Sequence, residues 1–425
     1  MATDLAARAE RTLDLMRRRG FDGAQVSISE TERSEVNVAH NEASLLRTGV
    51  QQRVDVVGLL DGRRAASDGN DLGDEGLAQL VDDLWQSVRG APQDEANAVS
   101  SGQRLRLQQG PMQADVTAVA RSMSELLAWR ARETPTMMIE EAAAAHNHVR
   151  LHTLTSGGSD VACDLGYLEM MVFGLAREGT HASSFNYAGG SADSLADPLS
   201  RFGLARMMRD LTRQVLTQPL GARFVGEVIL SPAATADLIG WLLGQISDGA
   251  LIDGSSLYRR RVGERVASPM LTLASRFDGP GCVPLSGDAF VTPPVTVLDA
   301  GRLTTLTPSL YGSRKTGEPH VPTAGHGWSL AAGDSPLDAM VAAVPRGALV
   351  DRLSMGEPAA NGDFSGVIKN SFAIEGGRVG PALAETMISG NVAQMLKDVI
   401  AVSRQRIDTG GWVFPWLRIG GLHFS

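Results

Sequence analysis

A chain of 425 residues with 43% hydrophobic and 20% charged side chains has the length for two or three domains and the balance of a folded protein, which excludes global disorder. Its 39 Lys and Arg against 48 Asp and Glu leave a net charge of −9, which excludes nucleic acid and anionic membrane as main partners. Two cysteines, Cys163 and Cys282, exclude a disulfide scaffold and any site of several thiolates; one disulfide between them is arithmetically open, and the preferred reading is two reduced thiols in a cytoplasmic protein.

In chain order, apolar spacing through Leu5, Ala9, Leu13 and Met16 predicts a helix over 4–19 with Gly20 as its stop. The period then changes to two: Ala24, Val26 and Ile28, and later Val36 and Val38, read as half-buried strands. The run 50–60 ends at Asp61-Gly62, a hairpin dipeptide. Helical spacing returns over 72–88, and 87–110 reads as a polar loop or extended connection. A helix is expected at 113–132, strands near 136–142, 149–155 and 168–176, and a helix at 199–216. Gln218-Pro219-Leu220-Gly221 is the candidate boundary between two domains, 1–220 and 221–425.

Beyond that boundary, 224–230 reads as a strand, and Ser231-Pro232 opens a helix, serine as the cap and proline where a missing N–H does no harm. Short strands and turns follow, at 296–303 and 370–379 among others, then a helix over 389–406 and a final strand at 412–419. The order predicts an α+β fold: an N-terminal mixed sheet with helices, and a strand-rich C-terminal domain. The N-terminal segment lacks the apolar core of a secretion signal, and no stretch reaches the roughly 20 apolar residues of a membrane span.

The chemistry-bearing motifs are mostly missing. There is no Gly-x-Ser-x-Gly elbow, no phosphate-cradling Gly-x-x-x-x-Gly-Lys, and no Gly-x-Gly-x-x-Gly. His146, His148 and His152 share one face if they lie on a strand, so a metal site and a plain polar edge are both open readings. The two cysteines read as small buried hydrophobes, and Arg259-Arg260-Arg261 as a solvated face. Glycines at 325–327 and around 361–366 allow close backbone approach. His326, Asn361, Asp363, Phe364 and Ser365 are therefore the candidate substrate or partner groove, with ordinary turns as the alternative.

Three stretches in a fixed order carry a resemblance: 226–239, Leu310-Tyr-Gly-Ser-Arg-Lys-Thr-Gly317, and Asn361-Gly-Asp-Phe-Ser-Gly-Val367 followed by Phe372-Ala-Ile-Glu-Gly-Gly-Arg378. Through them the chain resembles the TldD/PmbA family over nearly its whole length, in particular the TldE (PmbA) branch. The resemblance implies a TldD–TldE heterodimer acting as a metalloprotease on unfolded or short peptides, including ribosomally made precursors. It also implies that TldD-type subunits carry His-Glu-x-x-x-His at the strand-to-helix segment and a later cysteine, which together hold zinc. On those positions this sequence has Ser231, Pro232 and Ala236, and the cysteine stretch falls on 407–410 with no thiol. The implied role is a subunit with no catalytic residue and no cofactor of its own, paired through its C-terminal domain with a TldD-like zinc-bearing subunit, closing a chamber around an extended peptide. The alternatives are a self-sufficient peptidase working as a homodimer, and a peptide-binding module without hydrolytic activity.

Overall fold

The structure is a computed structural model and describes residues 4–323 and 327–425. Its first domain begins with α1 (Leu5–Arg19), capped by the Asp4 carboxylate on the Ala7 N–H and stopped by Gly20 in the left-handed region. Then come β1 (Gly23–Ala39), β2 (Glu42–Leu60), β3 (Arg63–Gly69), α2 (Asp74–Gly90), β4 (Arg104–Gln109), α3 (Val116–Glu133), β5 (Met137–Thr155), β6 (Asp160–Glu178), β7 (His181–Ala182), β8 (Asn186–Ala192) and α4 (Leu204–Thr212). The strands form one mixed sheet in the order β3-β2-β1-β5-β6-β4, with β7 and β8 also paired to β6. Only β4 runs parallel to its neighbour; the other pairs are antiparallel.

The hairpins follow from local chemistry. Asp61 and Gly62 both take positive φ, 48° and 73°, as the expected tight turn requires, and His40-Asn41 does the same between β1 and β2. One face of the sheet carries two separate helix packs. Ala24, Val26, Ile28, Val54 and Val56 bury against α1 and α2, while Val36, Val38, Ala142 and Val172 bury against α3 and α4. The opposite face presents Val161, Cys163 and Leu165 to Val283, Leu285 and Val291 of the second domain.

The second domain is also a sheet, with β9 (Phe224–Leu230) near its centre. β9 lies antiparallel to the C-terminal strand Trp412–Phe424 and parallel to Arg346–Val350. α5 (Pro232–Gln245) follows β9 and packs Leu238, Ile239 and Leu242 into the largest core. The fold is thus the expected α+β arrangement of two domains, each on its own sheet.

Several expected elements differ. β4 lies inside the segment expected to be a polar loop or extended connection, because Leu105 and Leu107 alternate with polar residues along β6. The expected strands at 136–142 and 149–155 are one strand of 19 residues; pairing on both sides overrides the weak strand preference of Ala142 to Ala145. The expected helix over 199–216 shortens to Leu204–Thr212, because Phe202 and Gly203 both take positive φ and break the chain there. The expected helix over 389–406 is only Val392–Lys397; the β-branched run that follows forms the strand Val399–Asp408 against Trp412–Phe424.

Leu77 on α2 is fully buried in the first domain's core, whereas Leu45 on the outer part of β2 is 46% exposed. Leu77→Ala is expected to lower unfolding stability by about 2–5 kcal/mol, and Leu45→Ala by under about 0.5 kcal/mol, measured by urea denaturation.

Candidate functional site

The turn from β9 into α5 is the most constrained piece of chain beside a cavity. Ser231 takes extended φ and ψ of −65° and 167°, and its hydroxyl accepts from the Ala234 N–H at 3.3 Å while donating to the Asp351 carbonyl at 3.0 Å. Its own N–H reaches the Val350 carbonyl at 2.8 Å. Pro232 follows at the first helical position. Ser231 is buried, and each of its polar atoms is satisfied within the protein.

Pro232, Ala233 and Ala236 form one wall of a cavity of about 390 Å³ between the domains. Met171, Tyr187, Ala188, Gly189 and Phe202 line it from the first domain; Arg352, Ile407, Thr409, Trp412 and Phe414 line it from the second. A deeper pocket of about 50 Å³ continues past Ser231 to Arg206, Asp210 and Trp416. The positions that resemblance equates with the zinc motif and with the later cysteine stretch therefore meet in space, although about 170 residues separate them.

They meet without metal-binding chemistry. A methyl, an imino ring and a hydroxyl engaged twice over offer no ligand set, and Thr409 and Asp408 are committed elsewhere. The Thr409 hydroxyl bonds the Trp412 carbonyl at 3.1 Å; the Asp408 carboxylate meets Arg276 at 2.6 Å and the Gly410 N–H at 2.8 Å. Zinc does not fit this place. Among the described residues, no group of three or more His, Cys, Asp or Glu side chains is placed to hold a metal ion.

Charge around the cavity is arranged in layers. The Arg352 guanidinium lies 3.9 Å from the Tyr187 ring centre, and its Nε donates to Asn186 Oδ1 at 2.8 Å. A second guanidinium N–H donates to the Tyr187 carbonyl, and Asn186 passes the link on to Asp351 at 2.7 Å. Arg206 covers the Trp416 ring at 4.8 Å and reaches Asp210 at 3.4 Å. Burial pushes the Asp210 carboxyl up, with Asp351 adding to the rise and Arg206 opposing it. Asp237, next to Ala236 on α5, is exposed as a residue, yet partial desolvation of its carboxyl pushes it up to about 6 against the pull of Arg352 and the Leu353 N–H.

The other sequence candidates are dispersed. His146, His148 and His152 lie on the central strand β5, not at an exposed edge, and each finds its own acceptor: the Pro111 carbonyl at 2.6 Å, Asp164 at 2.6 Å and Asp160 at 2.7 Å. Arg106 shares Asp160 at 2.7 Å and holds that carboxyl below its usual range. His326 lies outside the described residues. Gly327 has a structural reason for its identity: a Cβ there would stand 1.5 Å from the Arg276 carbonyl oxygen. Asn361 and Asp363 close a turn, with Asn361 Nδ2 on Asp363 at 2.7 Å and Asn391 Nδ2 on both segments at 2.8 Å. Those amides keep the Asp363 carboxyl below its ordinary range. Phe364 is a correction: it is buried in the second domain's core and cannot face a groove, because strand alternation sends it opposite to its neighbours. Ser365 is exposed and shares a sheet face with Ser389, His423 and Val225.

The stretch 310–317 is a short helix, Leu310–Thr316, stopped by Gly317, and it grips the first domain. Tyr311 Oη donates to Asp94 at 2.8 Å and Lys315 Nζ meets the same oxygen at 3.0 Å. The Ala96 N–H, with Tyr311 and Lys315, holds the Asp94 carboxyl down at about 2.

Residues 225–425 match the family model of the PmbA/TldA metallopeptidase C-terminal domain. The chain is 21% identical over 419 residues to the metalloprotease PmbA of Escherichia coli O157:H7, covering 94% of this chain and 92% of that one. It is 27% identical over 219 residues to a PmbA homologue of Haemophilus influenzae, covering 48% of each. Its fold superposes on TldE from Thermococcus kodakarensis with a TM-score of 0.83 at 18% identity, covering 98% of this chain and 100% of that one.

Both thiols are free and buried, and burial raises them, Cys163 to about 11 and Cys282 above its ordinary value. At pH 8 each is therefore a neutral thiol rather than a nucleophilic thiolate. Reaction with a disulfide reagent at pH 8 is expected to be negligible in the native chain and to reach two thiols only after unfolding; rapid labelling of the folded protein would contradict this placement.

Proposed function

We propose that this chain, whose residues 225–425 match the PmbA/TldA metallopeptidase C-terminal domain, is the TldD/PmbA-family subunit without a zinc site of its own, working with a TldD-like zinc-bearing partner on extended or unfolded peptides in the cytoplasm. The observation that carries the reading is the β9–α5 turn. A hydrolytic zinc needs about three protein ligands and one open position. Where resemblance puts two histidines and a glutamate, this chain has a capping serine, a helix-opening proline and an alanine. The serine cannot be released to a metal without leaving the Ala234 N–H and the Asp351 carbonyl to be satisfied elsewhere.

Pairing through the second domain is supported by its exposed sheet face. Val225 is 58% and Met387 40% exposed there, flanked by His423, Ser389 and Ser365, on strands joined edge to edge. An apolar pair within a polar surround is the usual make-up of a surface that docks another protein. The partner supplies the zinc, which lowers the pKa of its bound water toward about 7.

Purified alone, the chain is expected to carry well under one zinc per molecule by elemental analysis and to leave unstructured peptides intact. Robust chelator-sensitive hydrolysis by the lone chain would end this reading. Mixed with the TldD-like subunit of the same organism, it is expected to elute as a stable 1:1 complex by light scattering. Val225→Glu with Met387→Glu is expected to weaken that complex at least about ten-fold, since charge is placed in an apolar contact.

A further inference from the structure

The 390 Å³ cavity has room for one large side chain with its backbone, and its walls are chemically one-sided. Arg352 is the single charged residue of its lining; Met171, Tyr187, Phe202, Trp412 and Phe414 are among its large side chains. Arg352 is held still by stacking on Tyr187 and by its bonds to Asn186 and the Tyr187 carbonyl. Those bonds use two of the five guanidinium donors, and no carboxylate within ion-pair distance neutralises it among the described residues. A fixed cation that no carboxylate touches, though Asp237 acts on it through space, is matched in an apolar wall by a ligand that is apolar and carries one negative group.

The backbone of β8 adds a second element. β8 pairs with β6 along one side, with Met171 opposite Gly189. In an antiparallel ladder, alternate residues turn both N–H and C=O outward. The Ser191 N–H points outward, to the Thr409 carbonyl at 3.1 Å, and the Tyr187 carbonyl points outward, to Arg352. Gly189, two residues from each, therefore also turns its N–H and C=O away from β6. Among the described residues neither group finds a partner, and Gly189 lines the cavity between Arg352 and Thr409.

We infer that this cavity binds the carboxy-terminal residue of an extended peptide, its apolar side chain in the cavity, its backbone paired with Gly189, and its carboxylate on Arg352. A peptide running antiparallel to β8 brings its C-terminal end to Tyr187 and Arg352, so the strand direction and the cation agree. The inference rests on the peptide-acting role above and adds what that role leaves open: which end of the peptide this subunit holds, and with which atoms.

The test is fluorescence anisotropy of a labelled, unstructured hexapeptide ending in leucine, titrated with the purified full chain. The free acid is expected to bind at least about ten-fold more tightly than the same peptide amidated, the loss of one charge-assisted pair. Arg352→Gln is expected to erase that difference, and Ala236→Trp, which fills the cavity from α5, to abolish binding of both. Thermal melts by circular dichroism establish that each variant is folded. If Arg352→Gln does not fold, the acid–amide comparison on the unaltered chain and Ala236→Trp still decide. Dodecanoate carries the carboxylate and an apolar tail but no amides for Gly189, and is expected to displace the peptide only weakly. Equal binding of acid and amide, undiminished binding by Ala236→Trp, efficient displacement by dodecanoate, or no peptide binding at all would each overturn the inference. Complex formation with the zinc-bearing subunit is measured separately, so a chain that pairs normally but ignores the carboxylate loses this inference and keeps the proposed role.

Discussion

The first turn of any helix has N–H groups that nothing inside the helix can satisfy, and at α5 this requirement organises the surroundings. Ser231 meets it with its hydroxyl and uses the same oxygen to fasten the helix start to the Asp351 carbonyl. Its N–H fastens the turn to Val350. Helix, β9 and the end of the strand Arg346–Val350 are thereby locked in one register, and Arg352 is delivered to the cavity wall two residues later. A histidine at 231 would have to break this lock before it could hold anything. The small side chains at 232, 233 and 236 have a second consequence: nothing projects from that face of α5, so the cavity stays open.

The cavity also depends on how closely the two domains approach. Gly190 and Gly410 lie against the other domain's backbone, where a Cβ on Gly190 would come within 2.6 Å of the Thr409 carbonyl and one on Gly410 within 2.7 Å of the Ser191 carbonyl. Glycine is required on both sides of that seam. Gly203 belongs to the same seam; its added Cβ would meet Ile407 at 2.7 Å. At the far end, the Asp94 contacts with Tyr311 and Lys315 hold the domains together through a carboxylate that stays ionised down to pH about 2. The seam and the clamp leave little freedom to the cavity, so its shape is a property of the assembled chain rather than of either sheet.

Much of this was legible in the residue order. A period-two run located β1, Asp61-Gly62 located a hairpin, and Ser231-Pro232 marked the start of α5, because each signal is generated by chemistry within a few residues. The failures share one cause. β4, the middle of β5 and the strand Val399–Asp408 owe their state to pairing with chain far away, which overrides modest local preference. The segment 361–365 shows the same dependence: glycine-rich sequence announces a turn, but only the register decides that Phe364 goes to the core and Ser365 to the surface.

The cavity was beyond reach for a more specific reason. Its decisive features are an arginine that no carboxylate touches among the described residues and a glycine whose N–H and C=O face outward, and neither is a property of a residue type. Arg352 is distinctive only because Asn186 and Tyr187, some 165 residues earlier, hold it without neutralising it. Gly189 is distinctive only because Ser191 and Tyr187 fix which way the β8 ladder alternates. Composition around either position reads as ordinary strand and turn. That the β9–α5 turn carries Ser231, Pro232 and Ala236 is visible one residue at a time. What stands over that turn emerges only from satisfying every hydrogen bond around it and noting which groups are left over.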